Sequence, residues 1–160
     1  MKVPKIAILI SAVFFTVLSQ GIVFSADHKK ELEEIARMDL KQLTSNAKIV
    51  LDKRYPGEDW EKYKFPKYVY IHDSVQTGYK IAVKNPELLA KFPCYCFCEP
   101  MGHKNLAYCF LKNGVAKGKF DDHASTCNIC VTQAIVAFLW VEIGATDAEM
   151  QEVMKEIYGK

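Results

Sequence analysis

All six cysteines of this 160-residue chain lie between residues 94 and 130. Three of them alternate with aromatic residues in the hexapeptide PCYCFC, as Cys94, Cys96 and Cys98. The neighbouring prolines disfavour a helix, so we expect the run to be extended or looped, and alternate side chains of an extended segment point the same way. The run therefore predicts three sulfurs that project to one side of the chain.

A second group joins a histidine to two cysteines at helical spacing. His123, Cys127 and Cys130 stand at i, i+4 and i+7, so a helix would place them on one face. They open a long apolar stretch, and a helix N-terminus at this point would favour thiolate over thiol. Cys109 and His103 lie between the two groups and extend the set of soft and imidazole donors.

Three interpretations of these residues stay open. An even number of cysteines in an exported chain is typical of disulfides, and each sulfur of the PCYCFC run has a distant cysteine to pair with. Cys127 and Cys130 also match the form of a redox-active dithiol. We favour a metal–thiolate site, because adjacent sulfurs opposite a His-Cys-Cys face suit a soft metal better than crosslinks.

The predicted ligands are six thiols and two imidazoles, with two further candidates. They are Cys94, Cys96, Cys98, Cys109, Cys127, Cys130, His103 and His123, and then Met101 and His28. Thiolate-rich sites bind Cu(I), zinc or iron–sulfur clusters. Six thiols exceed the four ligands of a closed zinc site, and an iron–sulfur cluster suits an exported protein least. We therefore expect copper, with zinc as the alternative, and a hydrogen bond from an imidazole N–H to the carboxylate of Asp121 or Asp122.

Residues 1–25 have the pattern of a secretory signal peptide. Lys2 and Lys5 precede an apolar run over residues 6–18, and the best cleavage point follows Ser25. An uncleaved anchor is the alternative, since residues 6–24 just reach the length of a membrane span. We expect a periplasmic, cell-surface or secreted protein that contacts the membrane only if the leader stays uncleaved.

Cleavage after Ser25 would create a further copper ligand set. The new terminus would read Ala26-Asp27-His28. A free amine, two deprotonated amides and an imidazole at the third residue form a square-planar chelate for Cu(II) or Ni(II). This pattern supports copper but depends on the position of the cut.

Charge and motif content narrow the functional classes. The net charge of +2 comes from the two lysines of the leader, because removing them from 21 basic residues leaves 19, against 19 acidic ones. A neutral chain has no overall electrostatic attraction for nucleic acid. No haem, nucleotide-binding or zinc-protease motif is present, so an enzyme is possible but unsupported. The expected partners are a metal ion and another exported metalloprotein.

The rest of the chain predicts a mainly α fold, a compact helical domain over residues 26–160 around a buried helix of the C-terminal half. Apolar spacing predicts a long amphipathic helix over 27–53, and residues 69–71 and 79–83 form a candidate β-hairpin. Further predicted helices are 85–91, 103–112, the apolar central helix 125–143, and a last helix to Tyr158 opened by the capping box of Thr146 and Glu149.

The PCYCFC run resembles the signature of the bacterial PCYCGC-motif proteins. The similarity continues through Gly102-His103-Lys104-Asn105-Leu106, Cys109-Phe110, Asp121-Asp122-His123 and the Cys127–Cys130 pair. The resemblance implies an exported or surface-attached bacterial protein of unassigned biochemical role. Two features depart from the family: Phe97 replaces the glycine of the motif, and no cysteine precedes Cys94 to carry a lipid anchor.

Overall fold

Helices make up most of the chain in the computed structural model, which describes residues 20–117 and 119–159, with side chains from residue 28 onwards. The described α-helices are α1 (Gln20–Ala36), α2 (Leu40–Arg54), α3 (Asp73–Lys84), α4 (Pro86–Leu89), α5 (His123–Thr126), α6 (Asn128–Glu142) and α7 (Asp147–Tyr158). Within these ranges the only β-type pairing is an isolated bridge between Leu111 and Phe120. The predicted mainly α fold is confirmed. The apolar run of the predicted leader lies outside the described residues.

Helix α6 lies at the centre of the core, as its nearly uniform apolar sequence predicts. Ten of its residues are buried, and it packs mainly against α2 and α3. Trp140 is fully buried, and its indole Nε1–H donates a 3.0 Å hydrogen bond to the carbonyl of Leu32 in α1. Helix α1 also packs against α7, which begins at the predicted capping box of Thr146 and Glu149.

The predicted single helix over residues 27–53 is wrong, because Asp39 separates α1 from α2. Asp39 has extended backbone angles (φ −67°, ψ 158°), and its carboxylate accepts a hydrogen bond from the backbone N–H of Gln42. The side chain of Gln42 accepts in turn from the backbone N–H of Asp39. This reciprocal cap satisfies donors that a continuous helix would have used, so it starts a new helix in the middle of the apolar pattern.

The predicted hairpin of residues 69–71 and 79–83 is also wrong. The first segment belongs to a 3₁₀ turn (Lys67–Tyr70), and the second lies inside α3. Val75, Tyr79 and Ala82 are buried at helical spacing along α3. Gly78 lets the ring of Phe110 approach this helix, since a Cβ at residue 78 would lie 3.0 Å from that ring.

Short turns replace part or all of two predicted helices, 85–91 and 103–112. The predicted helix 85–91 is confirmed only as α4, after which the N–H groups of Lys91 and Phe92 bond to the carbonyls three residues back. The predicted helix 103–112 is wrong: a 3₁₀ turn (Leu106–Cys109) is capped by Asn105, whose side chain accepts from the N–H of Ala107. A second turn follows (Lys112–Gly114), with Asn113 at φ 60°. Among the residues described, no helix combines the length and apolarity needed to span a bilayer.

Candidate metal centre

Three segments of the fold bring the six cysteines together: the PCYCFC loop, the turn that ends at Cys109, and the start of α6. All six are free thiols. The sulfur of Cys94 lies 3.0 Å from that of Cys96 and 3.5 Å from that of Cys98. The loop achieves this by turning rather than by extending, since Cys98 has φ −83° and ψ 1°. Of the two predicted backbones, the run adopts the looped one and not the extended one, and the three sulfurs do meet.

The turn and α6 add two more sulfurs to this loop. Cys109 Sγ lies 3.2 Å from Cys94 Sγ, and Cys130 Sγ lies 3.5 Å from Cys94 Sγ and 3.2 Å from Cys96 Sγ. Their ligand atoms all lie within 4.8 Å of one another. We call these residues the five-thiol group: Cys94, Cys96, Cys98, Cys109 and Cys130.

A second set of donors overlaps the first. His123 Nε2 lies 3.4 Å from Cys96 Sγ and 2.9 Å from Cys98 Sγ. Four ligand atoms in this region again lie within 4.8 Å of one another, and we call them the His123 group: Cys96, His123, Cys127 and Cys130. The structure therefore contains a Cys/His cluster that could hold a metal ion.

The helical face predicted for His123, Cys127 and Cys130 is not formed, because the chain leaves the helix at Cys127. This residue has φ −118° and ψ 99°, ends α5 and caps α6. The break nevertheless keeps the three side chains together, since all belong to the His123 group.

His103 lies beside the cluster, outside both groups. Its Nδ1 is 3.5 Å from Cys109 Sγ, and its Nε2 faces Asp121 Oδ1 at 3.7 Å. The rings of His103 and His123 meet edge to face, with centroids 5.3 Å apart. His103 thus contacts Cys109 of the five-thiol group on one side and faces the carboxylate of Asp121 on the other.

The two further candidate ligands lie apart from these groups. Met101 ends the turn that follows Cys98, and 57% of its surface is exposed. His28 lies in α1, where its Nδ1 is 3.6 Å from Glu149 Oε1 of α7. The amino-terminal chelate of His28 stays a prediction.

Asp121 holds the segment that carries His123. One carboxylate oxygen accepts the backbone N–H of His123 at 3.1 Å, and the other accepts from the ammonium of Lys112. The carbonyl of Asp121 accepts the hydroxyl of the buried Tyr79 at 2.6 Å. Burial opposes ionisation of Asp121, but the hydrogen bonds from Lys112 and His123 outweigh it and lower its pKa. Sequence reasoning named Asp121 but missed Lys112 and Tyr79, and the helical spacing of Tyr79 with Val75 was the available signal.

More than half of the chain matches a known family. Residues 57–160 match the family described as "Protein of unknown function with PCYCGC motif". The chain belongs to the PCYCGC-motif family. No curated protein and no solved structure matches the chain significantly. The family resemblance found in the sequence is therefore confirmed, and it assigns no function.

The backbone of this PCYCGC-motif protein accounts for the glycine in the family motif. Phe97, which replaces that glycine, has φ 61°, in the left-handed region that glycine adopts most easily. Its side chain is 82% exposed and contributes little packing. This left-handed residue directly precedes Cys98, whose sulfur contacts Cys94 and His123.

The thiols of the cluster differ in acidity. Hydrogen bonds from Cys109 and Cys130 lower the pKa of Cys94 well below its ordinary value. A hydrogen bond from Cys130 lowers the pKa of Cys127 to about 5. Burial, by contrast, raises the pKa of Cys96. Because cysteine binds metals as the thiolate, metal binding would displace the protons that remain on the cluster.

The sulfur–sulfur distances suit ligands of a common centre. A disulfide needs about 2.05 Å between sulfurs, well below the 3.0–3.5 Å observed. A tetrahedral ion with metal–sulfur bonds of about 2.3 Å separates its sulfurs by about 3.8 Å. A modest outward movement of the thiols would therefore admit a metal ion.

Proposed function

We propose that this protein binds Cu(I) outside the cytoplasm, for scavenging, storage or delivery to another exported metalloprotein. The observation that carries the proposal is the convergence of five thiols within 4.8 Å. Thiolates select soft cations such as Cu(I) and zinc over hard ones such as magnesium or calcium. A protein that needed only crosslinks would have no use for five sulfurs at one point.

The number of sulfurs argues against a single structural zinc ion. A structural zinc ion is satisfied by four ligands, and the five-thiol group alone already exceeds that number. The site is also accessible, since Cys94, Cys96 and Cys127 are only half-buried while the other three thiols are buried. An ion could therefore reach the cluster from the side of the half-buried thiols and be enclosed by the buried ones.

Export rests on the leader pattern in residues 1–25. N-terminal sequencing of the protein recovered from outside the cytoplasm should give Ala26 as the first residue. An intact Met1 on that protein would instead support the anchored form, and recovery only from the cytoplasm would overturn export.

Copper binding can be tested on the purified, fully reduced protein without oxygen. We expect Cu(I) to be taken from a chromophoric Cu(I) chelator and to protect the cysteines from a thiol reagent. Added zinc should not displace it. The matched control is the Cys94→Ser/Cys98→Ser variant, which keeps the other four thiols and should compete less well for copper. If the reduced wild type takes no Cu(I), the proposal is wrong; a zinc ion that copper cannot displace would assign the site to zinc.

A thiol–disulfide oxidoreductase is the second candidate, and the contrast between Cys127 and Cys130 favours it. Cys127 is half-buried with a pKa lowered to about 5 by the hydrogen bond from Cys130, which is itself buried. A half-buried acidic thiol with a buried partner three residues on is the arrangement of dithiol oxidoreductases. Disulfide exchange with a model substrate that is lost in Cys127→Ser but kept in Cys94→Ser would support this function.

A further inference from the structure

The two donor groups of the centre share two sulfurs. Cys96 and Cys130 belong both to the five-thiol group and to the His123 group, and their Sγ atoms lie 3.2 Å apart. The other members belong to one group only, although Cys98 Sγ also lies 2.9 Å from His123 Nε2. Cys94, Cys98 and Cys109 belong only to the five-thiol group, and His123 and Cys127 only to the His123 group.

One metal ion cannot use this arrangement. The two groups together offer six sulfurs and one imidazole nitrogen, whereas Zn²⁺ takes four such ligands. If Cys96 and Cys130 bridge, each of two ions has at least four candidate ligands within reach. The outer ion would have the two bridging sulfurs, Cys127 and His123, and the inner ion would have the bridging sulfurs and the three remaining thiols. A thiolate sulfur has enough lone pairs to bind two soft cations at once.

The two positions differ in exposure. Cys98 and Cys109, which belong to the five-thiol group alone, are buried with 1% and 0% of their surface exposed. Cys127 and His123, which belong to the His123 group alone, are half-buried. Cys94, the third thiol that belongs to the five-thiol group alone, is also half-buried. An ion on the inner side therefore has two fully buried ligands of its own, whereas an ion on the outer side has none and is the more accessible to solvent and to a partner's ligands.

We infer that the centre is dinuclear, with Cys96 and Cys130 as bridging thiolates, an enclosed inner ion and an exchangeable outer ion. This inference rests on the proposed function, because it presupposes that the thiols bind a soft metal. The inference also assigns the two ions different roles. The inner ion stabilises the loop, and the outer ion is the one exchanged with another ligand.

The first test is the number and spacing of the ions in the wild-type protein. Anaerobic titration of the reduced protein with Cu(I) should end at two ions per chain. X-ray absorption of the loaded protein should show metal–metal scattering in addition to sulfur neighbours. A competing chelator should remove one ion at least tenfold faster than the other. These measurements need no variant, so they decide the inference even if a variant fails to fold.

Matched variants then assign each position. Cys127→Ser and His123→Gln should each lose the fast ion, retain the slow one and lose the metal–metal signal. Cys109→Ser removes a thiol of the inner side and should instead accelerate loss of the slow ion. Cys96→Ser removes a bridging sulfur and should abolish the metal–metal signal, whatever number of ions the variant binds. Circular dichroism of each metal-free variant controls for folding.

The outcomes separate the inference from the proposed function. A wild type that binds no soft metal overturns both. A wild type that binds Cu(I) with any stoichiometry other than two, or that shows no metal–metal scattering, overturns the dinuclear centre and leaves Cu(I) binding standing. Two ions that remain bound and coupled in Cys127→Ser would also overturn it, because the outer ion would then not use Cys127.

Discussion

The imidazole Nε2 of His123 lies 2.9 Å from the sulfur of Cys98, a residue 25 positions earlier in the chain. This contact joins the PCYCFC loop to the start of the helix pair α5 and α6. A metal bound on these atoms would therefore link a loop to the central helix. The sulfurs of Cys94 and Cys96 also contact Cys130, but thiols are weak hydrogen-bond partners, so a bound cation would strengthen the link between these segments.

Copper loading should stabilise the whole fold. Because a ligand that binds only the native state adds RT ln(1 + [L]/Kd), free metal at 100 times Kd should add about 2.7 kcal/mol to the free energy of unfolding. Anaerobic thermal denaturation with and without Cu(I) measures the effect. The Cys96→Ser/Cys130→Ser variant lacks both shared sulfurs and should show little shift. An equal rise in melting temperature for this variant would place the binding elsewhere.

Asp121 should matter for metal affinity although it is not a predicted ligand. Its carboxylate fixes the backbone of His123 and faces His103, and loss of such supporting groups typically costs about 10–100-fold in metal affinity. We expect that loss in Asp121→Ala, measured by competition with a chelator. Asp122→Ala is the matched control, because the neighbouring side chain is exposed and makes no capping hydrogen bond. Equal effects of the two changes would contradict the positioning role.

Phe97→Gly should stabilise the protein. At φ 61° a residue with a Cβ is destabilised by roughly 1–2 kcal/mol in the left-handed conformation. Glycine avoids this strain, but its greater freedom in the unfolded chain offsets part of the gain in stability. We expect a net gain of up to about 1 kcal/mol in chemical denaturation of the metal-free protein. Phe97→Ala removes the same exposed ring but keeps the strain, so it should gain nothing. If alanine stabilises as much as glycine, the ring and not the backbone is the cause.

The sequence predicted the donors of the centre better than their backbone. All six cysteines and His123 do converge, because their types and clustering carry the signal. The backbone that carries these residues could not be predicted from their types. Apolar spacing predicts one helix through Cys127, whereas α5 ends and α6 begins at this residue. Whether Cys130 meets Cys94 or Cys109 depends on how α6 packs under the loop, and that packing joins segments far apart in the sequence.

Helix boundaries followed capping residues more closely than apolar spacing. The capping box of Thr146 and Glu149 predicted the start of α7 correctly. An equivalent box of Asp39 and Gln42 lies inside a strong apolar pattern. Apolar spacing alone therefore predicts one helix where the structure has α1 and α2. In α3 the error was the reverse, because short β-prone stretches around Tyr79 concealed a helical stripe.

The acid stability of the protein should depend on Glu58. Hydrogen bonds from Lys62 and then Tyr63, with a further one from Lys84, lower the pKa of Glu58 to about 2. Because the folded-state pKa is below the ordinary value of 4.5, the stabilisation is complete above pH 4.5 and is lost as the pH falls towards 2. Glu58→Gln should therefore flatten the pH dependence of unfolding in this window. Glu61→Gln, an exposed carboxylate in the next turn, should leave the dependence unchanged, and matching curves for the two variants would contradict the assignment.

Gln133, one helical turn beyond Cys130, should be a site where the apo fold can be stabilised. Its side chain is fully buried in α6, and neither Nε2 nor Oε1 has a hydrogen-bond partner. A buried polar group without a partner costs about 1–3 kcal/mol, whereas methionine has a similar length and no such requirement. Gln133→Met should therefore raise the free energy of unfolding by about 1–2 kcal/mol in urea denaturation of the metal-free protein. Gln151→Met provides the control, since Gln151 is exposed in α7 and its change should stay within about 0.5 kcal/mol. A loss of stability in Gln133→Met would mean that the amide has a partner such as a buried water, and that its cost in the core is already offset.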